Sequence, residues 1–205
     1  MTEVKTDRQT LGPHDWIQAA LVLLAERGVE GVKVDVLARR IGITRGSFYW
    51  HFADRAALLR EMREHWAFEA TDAVIEEVDT LGAPPVDRLT EVITRWADAI
   101  ASSTERAVRD WARLDVETAE RLASIDRRRL AYLEGLVWAS GIQTQDASIR
   151  AFMLYGLIQG VGNRMIATPE LEVAATIDSA IEIALGAKPL QRQCSMPNGG
   201  ETGNG

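Results

Sequence analysis

The chain has 205 residues, 46% of them hydrophobic and 26% charged, with a formal net charge of −7. That balance suits one or two compact domains with a substantial core. No run of about eighteen apolar residues occurs, and residues 1–10 are polar without a basic-then-apolar leader, so no membrane span or secretory signal is expected and the cytoplasm is the expected location. A single cysteine, Cys194, rules out an internal disulfide or a cysteine metal cluster within one chain.

Acidity argues against nucleic acid as a partner until its placement is considered. Residues 1–55 hold eight Lys or Arg against seven Asp or Glu, whereas residues 56–205 hold fifteen against twenty-three. Lys33, Arg39, Arg40, Arg45 and Arg55 crowd into one short stretch, as expected of a small phosphate-contacting surface on an acidic, solubilising body. Charge blocks are just as common on plain solvated faces, so this asymmetry needs a motif beside it.

Apolar residues recur at helical spacing and no stretch alternates convincingly for strand length, which predicts an all-α fold of about nine helices. The first helix is expected over residues 14–27, with Ile17, Ala20, Leu21 and Leu24 inward and Gly28 as its stop. A short second helix follows over 34–41, broken at Gly42, and Thr44 is placed to cap a third through its hydroxyl. Asp54 caps a long fourth helix striped by Leu58, Leu59, Met62, Trp66, Ala70, Ala73, Val74 and Val78. Pro85 opens the next, with Leu89, Ile93, Trp96 and Ile100 at three- and four-residue steps. Trp111 and Leu114 mark another, and further amphipathic segments cover 118–139, 146–167 and 170–185. Beyond Pro189 the composition is polar and predicts a flexible tail over 188–205.

Two short helices joined by a Gly-containing turn and braced by a third form the unit that lays a helix in the DNA major groove. Residues 34–52 read that way. In residues 44–52, Arg45 suits bidentate pairing with guanine, Ser47 reaches a base or phosphate oxygen, and Gly46 permits close backbone approach. Tyr49 and His51 bring donors suited to phosphate oxygens. Taken singly, Phe48, Trp50 and Phe52 are at least as readily core aromatics, and a lone His51 is more often structural than functional.

The strings Leu37-Ala38, Ile41-Gly42-Ile43-Thr44, Gly46-Ser47-Phe48-Tyr49-Trp50-His51-Phe52 and Leu58-Leu59 resemble the helix-turn-helix signature of the TetR family of bacterial transcriptional regulators. The likeness covers about the first sixty residues. It implies Thr44, Tyr49, His51 and Arg55 at phosphate-contacting positions, Arg45 and Ser47 facing bases, and Phe48 and Phe52 packed inward. Where that family usually caps the second helix with Thr or Ser this chain has Lys33, which offers charge to a phosphate instead, and Val36 replaces a common polar residue. The resemblance further implies a DNA-binding domain at 1–53, an effector-binding and dimerisation domain at 54–187, and a repressor released from a palindromic operator.

The effector helices carry Met62, Trp66, Trp96, Trp111, Trp138 and Tyr155, a set suited to a mostly apolar small molecule, although each is individually as readily plain core. One recognition helix covers only a half-site, so a homodimer is expected. Phe152, Gly156, Gly160 and Asn163, with Ala174, Ile177 and Ile181, give the last two helices small and apolar faces that suit an intersubunit four-helix bundle or packing within one protomer. The histidines at 14, 51 and 65 are scattered, with no nucleophile elbow, phosphate-cradling glycine loop or metal spacing, so no enzyme activity, metal or cofactor is expected. Arg127-Arg128-Arg129 points three ways on a helix and is expected to be solvated. The rival reading is a helical small-molecule-binding protein or enzyme without DNA affinity, and the 45–51 string is what neither rival needs.

Overall fold

Pro13 fixes φ at the first helical position, and the Gly12 N–H donates to the Asp15 carboxylate at 2.7 Å, so α1 (Pro13–Gly31) starts with its free end partly satisfied. The computed structural model describes residues 11–142, 145–162 and 173–186. The expected tail at 188–205 with Cys194, the turn at Thr168-Pro169, and Asn163 lie outside the described residues. Gly28 adopts φ +67 inside α1, so the stop expected there is a sharp interruption followed by one more helical turn.

The remaining helices are α2 (Val34–Ile41), α3 (Arg45–Phe48), α4 (Arg55–Ala67), a π-turn (Phe68–Asp72), α5 (Ala73–Thr80), α6 (Pro85–Ala101), α7 (Ser103–Ala112), α8 (Val116–Ala139), α9 (Gln145–Gly162) and α10 (Val173–Ala184). Helix α4, the π-turn and α5 run on without a break, so the expected long fourth helix exists, and the described residues form nine rods. Within them no strand occurs, and no helix is long and apolar enough to cross a membrane.

The π-turn changes the packing register of that rod. Leu58, Met62, Trp66 and Ala70 are buried at four-residue steps, and beyond the extra residue the buried set becomes Thr71, Ile75 and Val78. Ala73 and Val74, expected in the stripe, are only half-buried as a result. Two apolar cores follow. The first joins α1 to α4 with Val108 and Trp111 of α7 and Ile125 of α8; the second joins Ile75 and Val78 with α6, the far half of α8, α9 and α10.

Candidate nucleic-acid interface

Gly42, at φ +75, turns the chain between α2 and α3, and the Ile43 N–H reaches back to the Ala38 carbonyl at 3.0 Å. A left-handed residue is required there to close the end of α2, which is the role glycine fills without a Cβ penalty. Helix α3 is then only one turn long. The Ser47 N–H bonds the Thr44 carbonyl at 3.1 Å, and single turns carry the chain on through His51 N–H to Phe48 O at 2.9 Å and Phe52 N–H to Phe48 O at 3.0 Å. The Thr44 hydroxyl makes no capping bond, contrary to expectation; the backbone turn does that work and leaves the hydroxyl exposed.

Anchoring from behind is aromatic. Phe48 and Phe52 are buried, with the Phe48 ring 5.3 Å from both Trp16 and Phe52, edge-on to the first and tilted on the second. Outward lie Lys33, Thr44, Arg45, Gly46, Tyr49 and His51, all exposed, with Ser47 half-buried between them. Arg45 donates to the Tyr49 hydroxyl at 3.3 Å and pairs with Asp35 at 3.4 Å, which holds its guanidinium over the face that α2 and α3 share. Trp50 is 87% exposed, so of the three aromatics open to a core reading it alone stands in solvent. A Cβ on Gly46 would approach nothing nearer than the Thr44 hydroxyl at 3.8 Å, which leaves the surface above it clear.

Arg55 departs from expectation. Its Nε donates to the Val32 carbonyl at 2.6 Å and one terminal nitrogen to the Val29 carbonyl at 2.5 Å, so the side chain is half-buried and braces the end of α1 against the start of α4. Both carbonyls lie beyond the interruption at Gly28, at the end of α1; Val29 O also accepts the Val32 N–H at 3.1 Å, and the guanidinium takes the acceptor capacity left at this helix end, which explains why the charge turns inward.

The expected pocket set divides. Met62, Trp66 and Trp111 belong to the first core, Trp96 and Tyr155 to the second, and Trp138 is 61% exposed and lines neither. The Trp138 position falls on the outer face of α8, where helical spacing carries it away from Leu136 and Val137. Two open grooves flank α1 and α7, one of about 270 Å³ touching Trp111 and one of about 300 Å³ touching Trp66 and Ala70. Neither groove reaches Trp96, Trp138 or Tyr155.

The expected dimer residues also part company. Ile177 and Ile181 are buried in the second core of their own protomer, because α10 lays that face on α6 and α9. Phe152 and Gly156 are exposed on α9 together with Ile149 and Met153, Gly160 is half-buried, and the Ala174 side chain lies outside the described residues.

What sequence reasoning missed is Arg129, which is fully buried rather than solvated. Its guanidinium donates to Thr71 Oγ1 at 3.0 Å, to the Ala70 carbonyl at 2.9 Å and to Glu105 at 3.2 Å. Glu105 also takes Arg109 at 2.8 Å, Arg109 reaches Asp126 at 3.0 Å, and Asp126 accepts from the Tyr155 hydroxyl at 2.6 Å. Burial, aided by the Asp126 carboxylate, pushes the Tyr155 phenol up to about 12. The signal was present: Arg129 sits four residues from both Ile125 and Leu133, on the apolar face of α8.

Residues 17–62 match the family described as bacterial regulatory proteins, tetR family. The chain is 38% identical over 77 residues to the tetracycline repressor protein class A from transposon 1721 of Escherichia coli, a stretch that spans 38% of this chain and only 32% of that protein. It is 23% identical over 172 residues to the HTH-type transcriptional regulator BetI of Proteus mirabilis, covering 81% of this chain and 86% of that one. Its fold is similar to that of the transcriptional regulator FadR from Bacillus subtilis solved in complex with stearoyl-CoA, with a TM-score of 0.63 at 19% identity, over 85% of this chain and 98% of that one.

Proposed function

We propose that this chain, whose residues 17–62 match the tetR family of bacterial regulatory proteins, is a sequence-specific DNA-binding repressor that works as a homodimer on a palindromic operator and is released by a small molecule. The observation that carries this reading is the arrangement of α3, with polar groups outward over a backbone fixed by buried Phe48 and Phe52. Arg45 and Ser47 read base edges, and Gly46 lets the backbone come close. Lys33, Thr44, Tyr49 and His51 take phosphate oxygens and set the register. Arg55 acts from behind by holding the head together. Residues 1–53 serve as the DNA-binding part and 54–187 as the effector and dimer part.

Dimerisation is assigned to the exposed apolar face of α9 around Ile149, Phe152, Met153 and Gly156, where glycine lets two helices approach closely. Reading two half-sites then requires the two copies of α3 to stand about 34–36 Å apart, one DNA turn. The effector is a mostly apolar molecule, and the stearoyl-CoA held by the FadR relative makes long-chain acyl-CoA the first class to try. Binding of the effector favours a state with the two heads wrongly spaced, which lowers operator affinity by differential stabilisation.

Selection of bound DNA from random duplexes tests the core of this. Recovery of a palindrome with half-sites one turn apart is the expected result; no enrichment over input sinks the DNA-binding assignment. A mobility shift on the recovered duplex with added stearoyl-CoA then tests release.

A further inference from the structure

The two apolar cores meet at a single polar layer. On the long rod the first core ends at Ala70, inside the π-turn, and the second begins at Ile75, with Thr71 between. On α8 the first core ends at Ile125 and the second begins at Leu133, with Arg129 between. Across the α6–α7 corner the second core ends at Ile100 and the first begins at Val108, with Glu105 between. Three separate elements therefore change core at the same level, and each contributes its buried polar group at the level of that change.

These groups are joined to one another. Arg129 makes its bonds to Thr71, Ala70 and Glu105 while wholly excluded from solvent, and Glu105 and Thr71 are buried with it. The guanidinium also lies 5.6 Å from the Trp96 ring centroid. Next to it Arg128 pairs with Asp72, the last residue of the π-turn, at 3.3 Å. Apolar layers above and below tolerate small slides and rotations, because dispersion contacts are non-directional. A planar guanidinium fork does not: its donors are fixed in direction, and a tilt of the rod breaks several bonds at once.

We propose that Arg129 is a positioning residue, which with Glu105 and Thr71 fixes the one angle at which the head, residues up to Ala70, stands on the second core. Buried ion pairs add little net stability compared with apolar groups of similar volume, and their distinct effect is on which arrangement is adopted. The proposal deepens the DNA-binding reading, since the angle sets where α3 faces, but the angle is measured without DNA.

The test uses the full chain with Cys194→Ser and spin labels at Glu30→Cys in the head and Ala131→Cys beyond the layer, diluted with excess unlabelled chain so that only distances within one protomer are read. Both labelled positions are exposed. The variant Arg129→Met/Glu105→Leu/Thr71→Val removes the polar layer while conserving volume. The expected result is a broadened or shifted distance distribution with a melting midpoint that is unchanged or raised. A lowered midpoint with an unchanged distribution overturns the proposal, because that is what a merely structural role gives. Arg129→Lys, which keeps the charge and loses the fork, is expected to broaden the distribution too; wild-type width in that variant also overturns it. If the triple variant fails to fold, Arg129→Lys decides alone: a broadened distribution supports the proposal and wild-type width overturns it. Where selection recovers an operator, the triple variant is expected to bind it about tenfold more weakly, as when the competent orientation falls to roughly a tenth of the population. Loss of DNA binding with an unchanged distance distribution counts against the positioning role, and an altered distribution in a chain that binds no DNA counts only against the DNA-binding reading.

Discussion

Arg55 separates two roles that sequence alone merges. Removing its side chain in Arg55→Ala deletes two hydrogen bonds from a charged donor, to Val32 O at 2.6 Å and Val29 O at 2.5 Å. Such bonds contribute about 1.5–3 kcal/mol each where water is excluded. Arg55 is half-buried, so water replaces part of what is lost, and a total cost of about 2 kcal/mol follows. On a chain of this size that lowers the melting temperature by roughly 4–8 °C. The second half of the experiment is a salt titration of binding to the selected operator. A phosphate contact contributes about 0.9 to the slope of log affinity against log salt, so an outward Arg55 would give that up in the alanine variant. The brace predicts an unchanged slope and a lowered midpoint. Arg55→Lys sharpens the contrast: lysine keeps the charge but one ammonium does not span two carbonyls as the fork does, so it is expected to be nearly as destabilised as alanine. A slope that falls by about 0.9 in alanine and recovers in lysine, with the midpoint unmoved in both, refutes the brace.

Phe48→Ala empties a site in the first core and should cost about 3–5 kcal/mol, with binding to the selected DNA lost and the proposed α9 dimer retained; calorimetry, a mobility shift and sedimentation check the three in turn. Arg45→Ala is expected to relax preference at one base position of the selected site, whereas Tyr49→Phe weakens all sequences alike, and repeating the selection with each variant distinguishes them. The Thr118 hydroxyl donating to Asp115 at 2.5 Å, then the Thr118 N–H, hold the Asp115 carboxyl below its ordinary 3.8, so its contribution to stability is present above that pH and is lost as the pH falls through the folded value. Asp115→Asn should flatten that part of an acid denaturation curve. The Tyr155 phenol, pushed up to about 12 from 10.0 by burial, stabilises below pH 10 and loses that contribution as pH rises between the two values; Tyr155→Phe is expected to remove this alkaline decline in melting temperature.

The helical fold and the head were legible because their signals are local. Gly42 requires a left-handed turn, Thr44 to Phe52 sets buried phenylalanines among outward polar groups, and Pro85 marks a helix start, all within a few residues. What failed depends on facing partners. Arg55 lies beside a helix start like any surface arginine, and only the Val29 and Val32 carbonyls at the end of α1 turn it inward. Arg129 was read by the triplet it sits in rather than by its place on the apolar face of α8. The π-turn has no sequence mark of its own, yet it shifts the stripe by one residue, which is why Ala73 and Val74 were expected inside in place of Ile75. Trp138 and Ile181 show the same limit, since helical spacing gives a face but not which neighbour covers it.

A one-turn helix is too short to hold its own shape, because nucleating helical structure fixes several torsions for a single hydrogen bond. The precision of α3 must therefore come from what surrounds it: the turn closed at Gly42, the Phe48 ring held between Trp16 and Phe52, and Asp54 accepting the Ala57 N–H at 2.8 Å to start α4 directly after. Every one of these supports belongs to the first core or its edge. The outward groups Arg45, Tyr49 and His51 are thus placed only as well as that core is placed, and the layer at Arg129 is where that core meets the second one. An effector that perturbs the second core has no need to reach α3. It is enough that it favours a different bonding of three buried side chains.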